Sequence, residues 1–162
     1  MKCAECGASL RTEHRDHHYV ESGLPNILLL GVEFRVCPSC GEEERVMPRL
    51  AQLHRVIAEA VAEKAAHLSG AEVRYLRKHL GWSGEQFAEV MGVRPETVSR
   101  WENDKEPIGG GYERALRLMA MRERPVESYP NDRLAEIAPS STPMKLRLAA
   151  HKSGWRAEAV AA

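Results

Sequence analysis

The chain has 162 residues and a mass of 18.1 kDa, and its 23 basic and 23 acidic side chains leave no formal charge. That length holds one ordinary domain or two small ones. Charge is also flat along the chain, with 8 basic and 10 acidic residues over 1–66, 10 and 9 over 67–125, and 5 and 4 over 126–162. This excludes a polybasic nucleic-acid footprint, so any DNA contact must come from a local arrangement and from pairing of two copies.

The chain opens on Cys3-Ala4-Glu5-Cys6-Gly7, and a second signature of the same form follows at Cys37-Pro38-Ser39-Cys40-Gly41. Together they use all four cysteines. Two residues between cysteines let both thiolates of a pair face one point, and the following glycine permits the tight turn. Cys3, Cys6, Cys37 and Cys40 therefore read as a closed tetrahedral site for one structural Zn2+ per chain, with metal binding coupled to folding. Disulfides and a redox pair are the competing readings, but no βαβ pattern surrounds either signature. Met1-Lys2 leads directly into the first cysteine turn with no secretory signal, so the expected compartment is the reducing cytoplasm. No apolar run reaches the roughly 18 residues of a membrane helix, so a soluble protein without a membrane partner is expected.

Between the cysteine pairs, His17 to Ser22 and Ile27 to Val36 flank Gly23-Leu24-Pro25-Asn26 and predict a β-hairpin. The second run alternates imperfectly. Leu28, Leu29 and Leu30 read either as the small core of a zinc ribbon or as a face for a partner. His14, His17 and His18 are further candidate ligands, but four thiolates already complete the site, and His17 and His18 would point to opposite faces of a strand.

After Pro48, Arg49 to Ala66 carries apolar residues at 50, 53, 57, 60 and 61 and predicts an amphipathic connector helix, able to pack on either neighbour. Ser69-Gly70 opens a helix through Val73, Leu76 and Leu80 that Gly81 ends. Ser83 and Gln86 have capping-box spacing, Phe87, Ala88, Val90 and Met91 give an apolar face, and Gly92 stops the helix. Pro95 then starts a short helix with Val98 and Trp101 three apart. This is helix-turn-helix spacing. The second helix is expected to enter the DNA major groove, leaving Arg94, Glu96, Thr97, Ser99 and Arg100 to meet bases and phosphates. Arg100 is the best candidate to read guanine by a bidentate pair, and Glu96 can accept from cytosine N4. Trp101 reads as core rather than as a base-stacking residue.

Asn103 to Pro107 predicts a turn, Gly109-Gly110-Gly111 a flexible joint, and Tyr112 to Arg122 a last helix that closes the core and offers a dimer face. From Arg124 onward, prolines at 125, 130, 139 and 143 predict loop or disorder with brief helices, Met144 to Ala150 among them. Trp155 reads either as a docked anchor or as an exposed terminal residue. The expected fold class is thus α+β: a zinc-ribbon domain at 1–47, a connector helix at 48–68, an all-α helix-turn-helix domain at 69–124, and a partly disordered tail at 125–162. No enzyme is expected, because the cysteines are committed to metal, the histidines lack a placed partner, and no phosphate-binding glycine loop is present.

Residues 1 to about 124 resemble the MqsA family of antitoxins, which join a YgiT-type zinc domain to an Xre-type helix-turn-helix. The resemblance rests on Met-Lys-Cys-x-x-Cys at the start, on Cys-x-x-Cys-Gly after a hairpin, and on Gly92-Val93-Arg94-Pro95-Glu96-Thr97-Val98-Ser99-Arg100-Trp101-Glu102. It implies a type II antitoxin that holds a small toxin, commonly an mRNA-cleaving ribonuclease, and represses its own operon as a homodimer on double-stranded operator DNA. A stand-alone zinc-containing regulator is the alternative. Two positions depart from the family pattern: Glu96 stands where an asparagine reads bases, and Gly84 where a glutamine contacts phosphate.

Overall fold

A computed structural model describes residues 1–122 and 143–158. Strand β1 (Arg11–His18) runs through a 3-10 turn at Val20–Ser22 into β2 (Ile27–Val36), and β3 (Glu43–Val46) follows the second cysteine turn. Five helices come next: α1 (Leu50–Glu63), α2 (Gly70–His79), α3 (Gly84–Met91), α4 (Pro95–Glu102) and α5 (Gly110–Ala120). Strands β4 (Leu146–His151) and β5 (Gly154–Glu158) return to the sheet. The layout is α+β in two parts, sheet with cysteine turns and then helices, as the sequence predicts.

The sheet is organised on β2. Strand β1 pairs antiparallel along one of its edges. The other edge is shared, with β3 antiparallel beside Glu33–Val36, β4 parallel beside Ile27–Leu30, and β5 outside β4. The two halves meet at Gly31, which has φ 59° and lies opposite a register shift in β1 between Arg15 and His17. An extra residue in a left-handed conformation is a β-bulge that glycine adopts at little cost. The Asp16 carboxylate accepts from the Gly31 amide at 3.0 Å and holds it. The bulge also explains the imperfect alternation. Ile27 and Leu29 are buried before it and Val32 and Phe34 after it, so a one-residue phase change keeps all four on the core face. Leu29 is core, whereas Leu28 and Leu30 are half-buried on the opposite face.

Several expectations need correction. The first strand spans Arg11–His18 and shares only His17 and His18 with the predicted run from His17 to Ser22, because the chain tightens into the 3-10 turn after it. Gly110 and Gly111 form the first turn of α5, with Gly109 as its N-cap, instead of a joint. Met144 to Ala150 contributes strand, not helix: Leu146 and Leu148 alternate into the core beside Ile27 and Leu29. A short apolar run has no periodicity of its own to separate the two choices, and the open edge of β2 decides. The tail expectation for residues 125–142 and 159–162 lies outside the described residues.

Helix α1 joins the two parts. Leu53, Ile57, Ala58, Val61 and Ala62 are fully buried and pack into one continuous core with residues of the sheet and of the helices that follow. Each large aliphatic side chain there contributes roughly 1.5–3 kcal/mol through burial. Polar groups fix the register. The Tyr75 hydroxyl donates to the His54 carbonyl at 3.1 Å and accepts from His54 Nδ1 at 3.1 Å, which leaves Nε2 to accept from the Tyr19 hydroxyl at 3.0 Å. One imidazole thereby links the β1–β2 turn to α2, and burial lowers its pKa in keeping with a neutral ring. On the far side the buried Arg117 of α5 donates to the carbonyls of Ala62, Lys64 and Ala66, and it pairs with fully buried Glu113 at 2.6 Å. These bonds take up carbonyls freed at the end of α1.

The returning hairpin is anchored by Trp155, which is 3% exposed. Its indole N–H donates to the Pro48 carbonyl at 2.7 Å, and the Gln52 amide accepts from its backbone N–H at 2.8 Å and donates to its carbonyl at 3.3 Å. Trp155→Ala should therefore cost about 3 kcal/mol of stability in urea unfolding. An unchanged midpoint would mean that the hairpin is not docked in solution.

Candidate metal centre and nucleic-acid interface

The two cysteine turns are near copies. In each, the first cysteine's carbonyl accepts from the following glycine amide, Gly7 to Cys3 at 3.0 Å and Gly41 to Cys37 at 3.0 Å. In each, the first cysteine's own amide donates onward, Cys3 to the Ala8 carbonyl and Cys37 to the Glu42 carbonyl, both at 2.8 Å. Both glycines have positive φ, 74° and 78°, which the turn needs.

Pairing of β1 with β2 brings the turns together. The sulfurs of Cys3 and Cys40 are 3.6 Å apart and those of Cys6 and Cys37 3.4 Å, with all four within 4.8 Å of one another. These distances are too long for disulfides. They fit a tetrahedron of thiolates about a single ion, whose edge is about 3.8 Å at ordinary zinc–sulfur distances. The four cysteines can hold a metal ion such as zinc.

The sulfurs interact with one another, and their acidities diverge. The amides of Cys40 and Ser39 donate to the Cys37 sulfur and lower its pKa to about 6. At Cys40 the Glu42 amide favours the thiolate, but hydrogen bonding to the sulfurs of Cys37 and Cys6 outweighs it and pushes the thiol up to about 12. Four sulfurs this close do not all ionise unless a cation replaces their protons. His14 and His18 are exposed on β1, and His17 meets the Phe34 ring edge to face beside Arg45 and Glu21.

In the helical part, α3 and α4 meet through a sharp turn. Ser83 and Gln86 form the capping box in full, with Ser83 Oγ accepting from the Gln86 amide at 3.1 Å and Gln86 Oε1 from the Ser83 amide at 2.8 Å. Gly92 caps the helix in a left-handed conformation, and Pro95 begins α4. Val98 and Trp101 are buried at 2% and 4% exposure, so Trp101 belongs to the core, where it packs on Phe87 and Tyr112.

The rest of α4 faces out. Arg94, Glu96, Ser99 and Arg100 are exposed and Thr97 is half-buried. The Arg100 side chain is 65% exposed, with only a 4.0 Å approach to Glu106. A groove of about 510 Å³ runs beside this face between α2, the start of α3 and α4, lined by Arg74, Ser83, Gly84, Pro95, Ser99 and Asn103 among others. Gly84 adds no side chain to it.

Two groups at this face were not evident from the sequence. Asn103, read only as a turn residue, donates to the Ser99 carbonyl at 2.7 Å. Arg74 of α2 reaches the end of α4. The signal for Asn103 is its place four residues after Ser99 on a helix of 3.6 period; Arg74 is a long-range contact with no local signature.

A capped helix, a sharp glycine turn and a second helix with one buried and one polar, exposed face is the geometry of a helix-turn-helix motif, whose second helix in DNA-binding proteins lies in the major groove. Residues 73–109, from within α2 through α4 to the residue that caps α5, match the family model described as helix-turn-helix. No curated protein and no solved structure matches the chain. Among the described residues no helix is long and apolar enough to cross a membrane.

Replacing Cys37 with Ser leaves three thiolates and removes the sulfur that two amides hold ready to ionise. Cobalt titration of the reduced protein should lose its thiolate charge-transfer band, while circular dichroism keeps the helical signal of α2–α5. A band of undiminished strength would exclude a four-sulfur site.

Proposed function

We propose that this protein is a sequence-specific DNA-binding antitoxin of a type II toxin–antitoxin system, acting as a homodimer in the cytoplasm and repressing its own operon. The observation that carries the DNA-binding part is the outward face of α4, with Arg94 at its N-cap and Glu96, Thr97, Ser99 and Arg100 on a helix whose other side is locked into a helix-turn-helix core. Arg100 reads a guanine edge, Arg94, Thr97 and Ser99 hold phosphates or mixed sites, and Glu96 accepts from cytosine. Because the domain carries 10 basic against 9 acidic side chains, two copies on a symmetric site supply the affinity.

On this reading residues 1–47 form the toxin-binding domain, 48–68 the connector and 69–124 the DNA-binding domain. Cys3, Cys6, Cys37 and Cys40 hold one Zn2+ per chain, which supplies a structural cross-link and no catalysis. The toxin assignment rests on the bipartite construction and on the sequence resemblance to MqsA-type antitoxins. A stand-alone regulator without a toxin is the second reading. It is favoured by the β4–β5 hairpin, which covers half of the β2 edge with the chain's own strands.

Native mass spectrometry of the protein from its own host separates the two. A dimer with one zinc per chain and a stoichiometric small protein is expected, whereas a zinc-loaded dimer alone selects the stand-alone regulator. Within either reading, Arg100→Ala should weaken operator binding by about 1–3 kcal/mol in titrations at fixed salt without changing the melting temperature. Unchanged affinity would remove α4 as the reading helix.

A further inference from the structure

A helix ends with four carbonyls that have no partner within it. In α4 each of them is taken. The Asn103 amide and side chain reach the Ser99 carbonyl at 3.2 and 2.7 Å, the Lys105 amide reaches Arg100 at 2.9 Å, and the Asp104 amide reaches Trp101 at 3.2 Å. The Glu102 carbonyl accepts from Arg74 Nη2 at 3.0 Å, and of these donors only Arg74 comes from another helix.

Arg74 spends its guanidinium on this one turn. Besides the carbonyl, Nη2 donates to Asn103 Oδ1 at 3.0 Å and Nε to Glu102 Oε2 at 3.1 Å. Asn103 passes the constraint on, since its amide donates to the Ser99 carbonyl and lies 3.4 Å from the Ser99 hydroxyl. Ser99 is exposed and immediately precedes Arg100. The approach that makes this possible is close: a Cβ on Gly70 would stand 2.5 Å from the Trp101 carbonyl oxygen, so the start of α2 lies directly on the end of α4. Arg74 comes one turn further along α2.

Holding the two helices together does not require Arg74. Arg77 already joins Glu102 through two nitrogens, and its side chain is 11% exposed against 40% for Arg74. A solvent-accessible guanidinium committed to three acceptors on one helix end fixes direction more than it adds stability.

We propose that Arg74 and Asn103 are positioning residues for base reading: they fix the last turn of α4, so that the Ser99 hydroxyl and the Arg100 side chain leave a rigid backbone. The assignment rests on α4 being the DNA-reading helix. Its test compares wild type, Arg74→Lys and Asn103→Ala, all as full chains. Each is titrated with the best duplex selected by the wild type from a random pool and with that duplex's single-base variants, over a range of salt.

Lysine keeps the charge but not the planar fork. Both variants should lose about tenfold of the discrimination at bases read by α4. The slope of affinity against salt should stay unchanged, and Asn103→Ala should melt close to wild type. Intact discrimination with a slope shallower by about one would make Arg74 a direct phosphate contact and overturn the positioning role. Intact discrimination with an intact slope would overturn it as well. A wild type that selects no sequence would remove the DNA-reading function itself, and is seen before any variant is made.

Discussion

Helix α1 has one apolar face and two structures to bury it against. Leu53, Ile57 and Val61 are completely enclosed because the sheet closes over part of the helix and α2 and α5 over the rest. Neither a small ribbon nor a four-helix unit of this size buries much surface alone. Sharing a helix lets each complete the other's core. The polar bridges follow that geometry, with His54 tying the β1–β2 turn to α2 and Arg117 tying α5 to the end of α1. Such buried polar links add modest net stability but are strict about direction.

The sheet has a different constraint. Its outer end carries the four cysteines and little apolar volume, and the aromatic face there is covered by charged side chains, with the Arg15 guanidinium 3.9 Å from the centroid of the Phe34 ring. A metal ion held by the four sulfurs would cross-link that end and compensate for the missing core. At the other end Leu146, Leu148 and Trp155 supply the core instead. The bulge at Gly31 marks the division, because it lets one strand serve both halves with its apolar residues on the same side.

The helix-turn-helix unit solves an electrostatic problem with few charges to spare. Glu102 pairs with buried Arg77 and half-exposed Arg74, Glu113 with buried Arg117, and Glu72 with Lys64 of the preceding segment, so two of the unit's own cations are held in its core. Outside, exposed Lys78, Arg94, Arg100, Lys105, Arg114 and Arg122 stand among exposed Glu85, Glu89, Glu96, Asp104 and Glu106, and so balanced a surface depends on where each side chain points rather than on attraction at a distance. This gives the ordered end of α4 its importance.

Much of this was legible in the chain itself. The duplicated cysteine signatures placed the metal-type cluster, since local turn geometry is set by residues two and three apart. The capping box at Ser83, the helix opening at Ser69-Gly70, the stop at Gly92 and the start at Pro95 delimited the helices for the same reason. The 3.6 period assigned Val98 and Trp101 to the core and Arg94, Glu96, Thr97, Ser99 and Arg100 to the surface, of which Thr97 is half-buried. The second capping box, between Ser69 and Glu72, emerged only in the structure. The sequence did not reveal that residues 146–158 are strands, that β2 changes phase at Gly31, or that Arg74 reaches the end of α4. Those depend on partners distant along the chain: an open edge on β2, a slot formed by Pro48 and Gln52, and the close approach of α2 to α4 at Gly70. Periodicity and turn chemistry are local and can be read in order, whereas edge pairing and side-chain reach are fixed only when separate elements share one core.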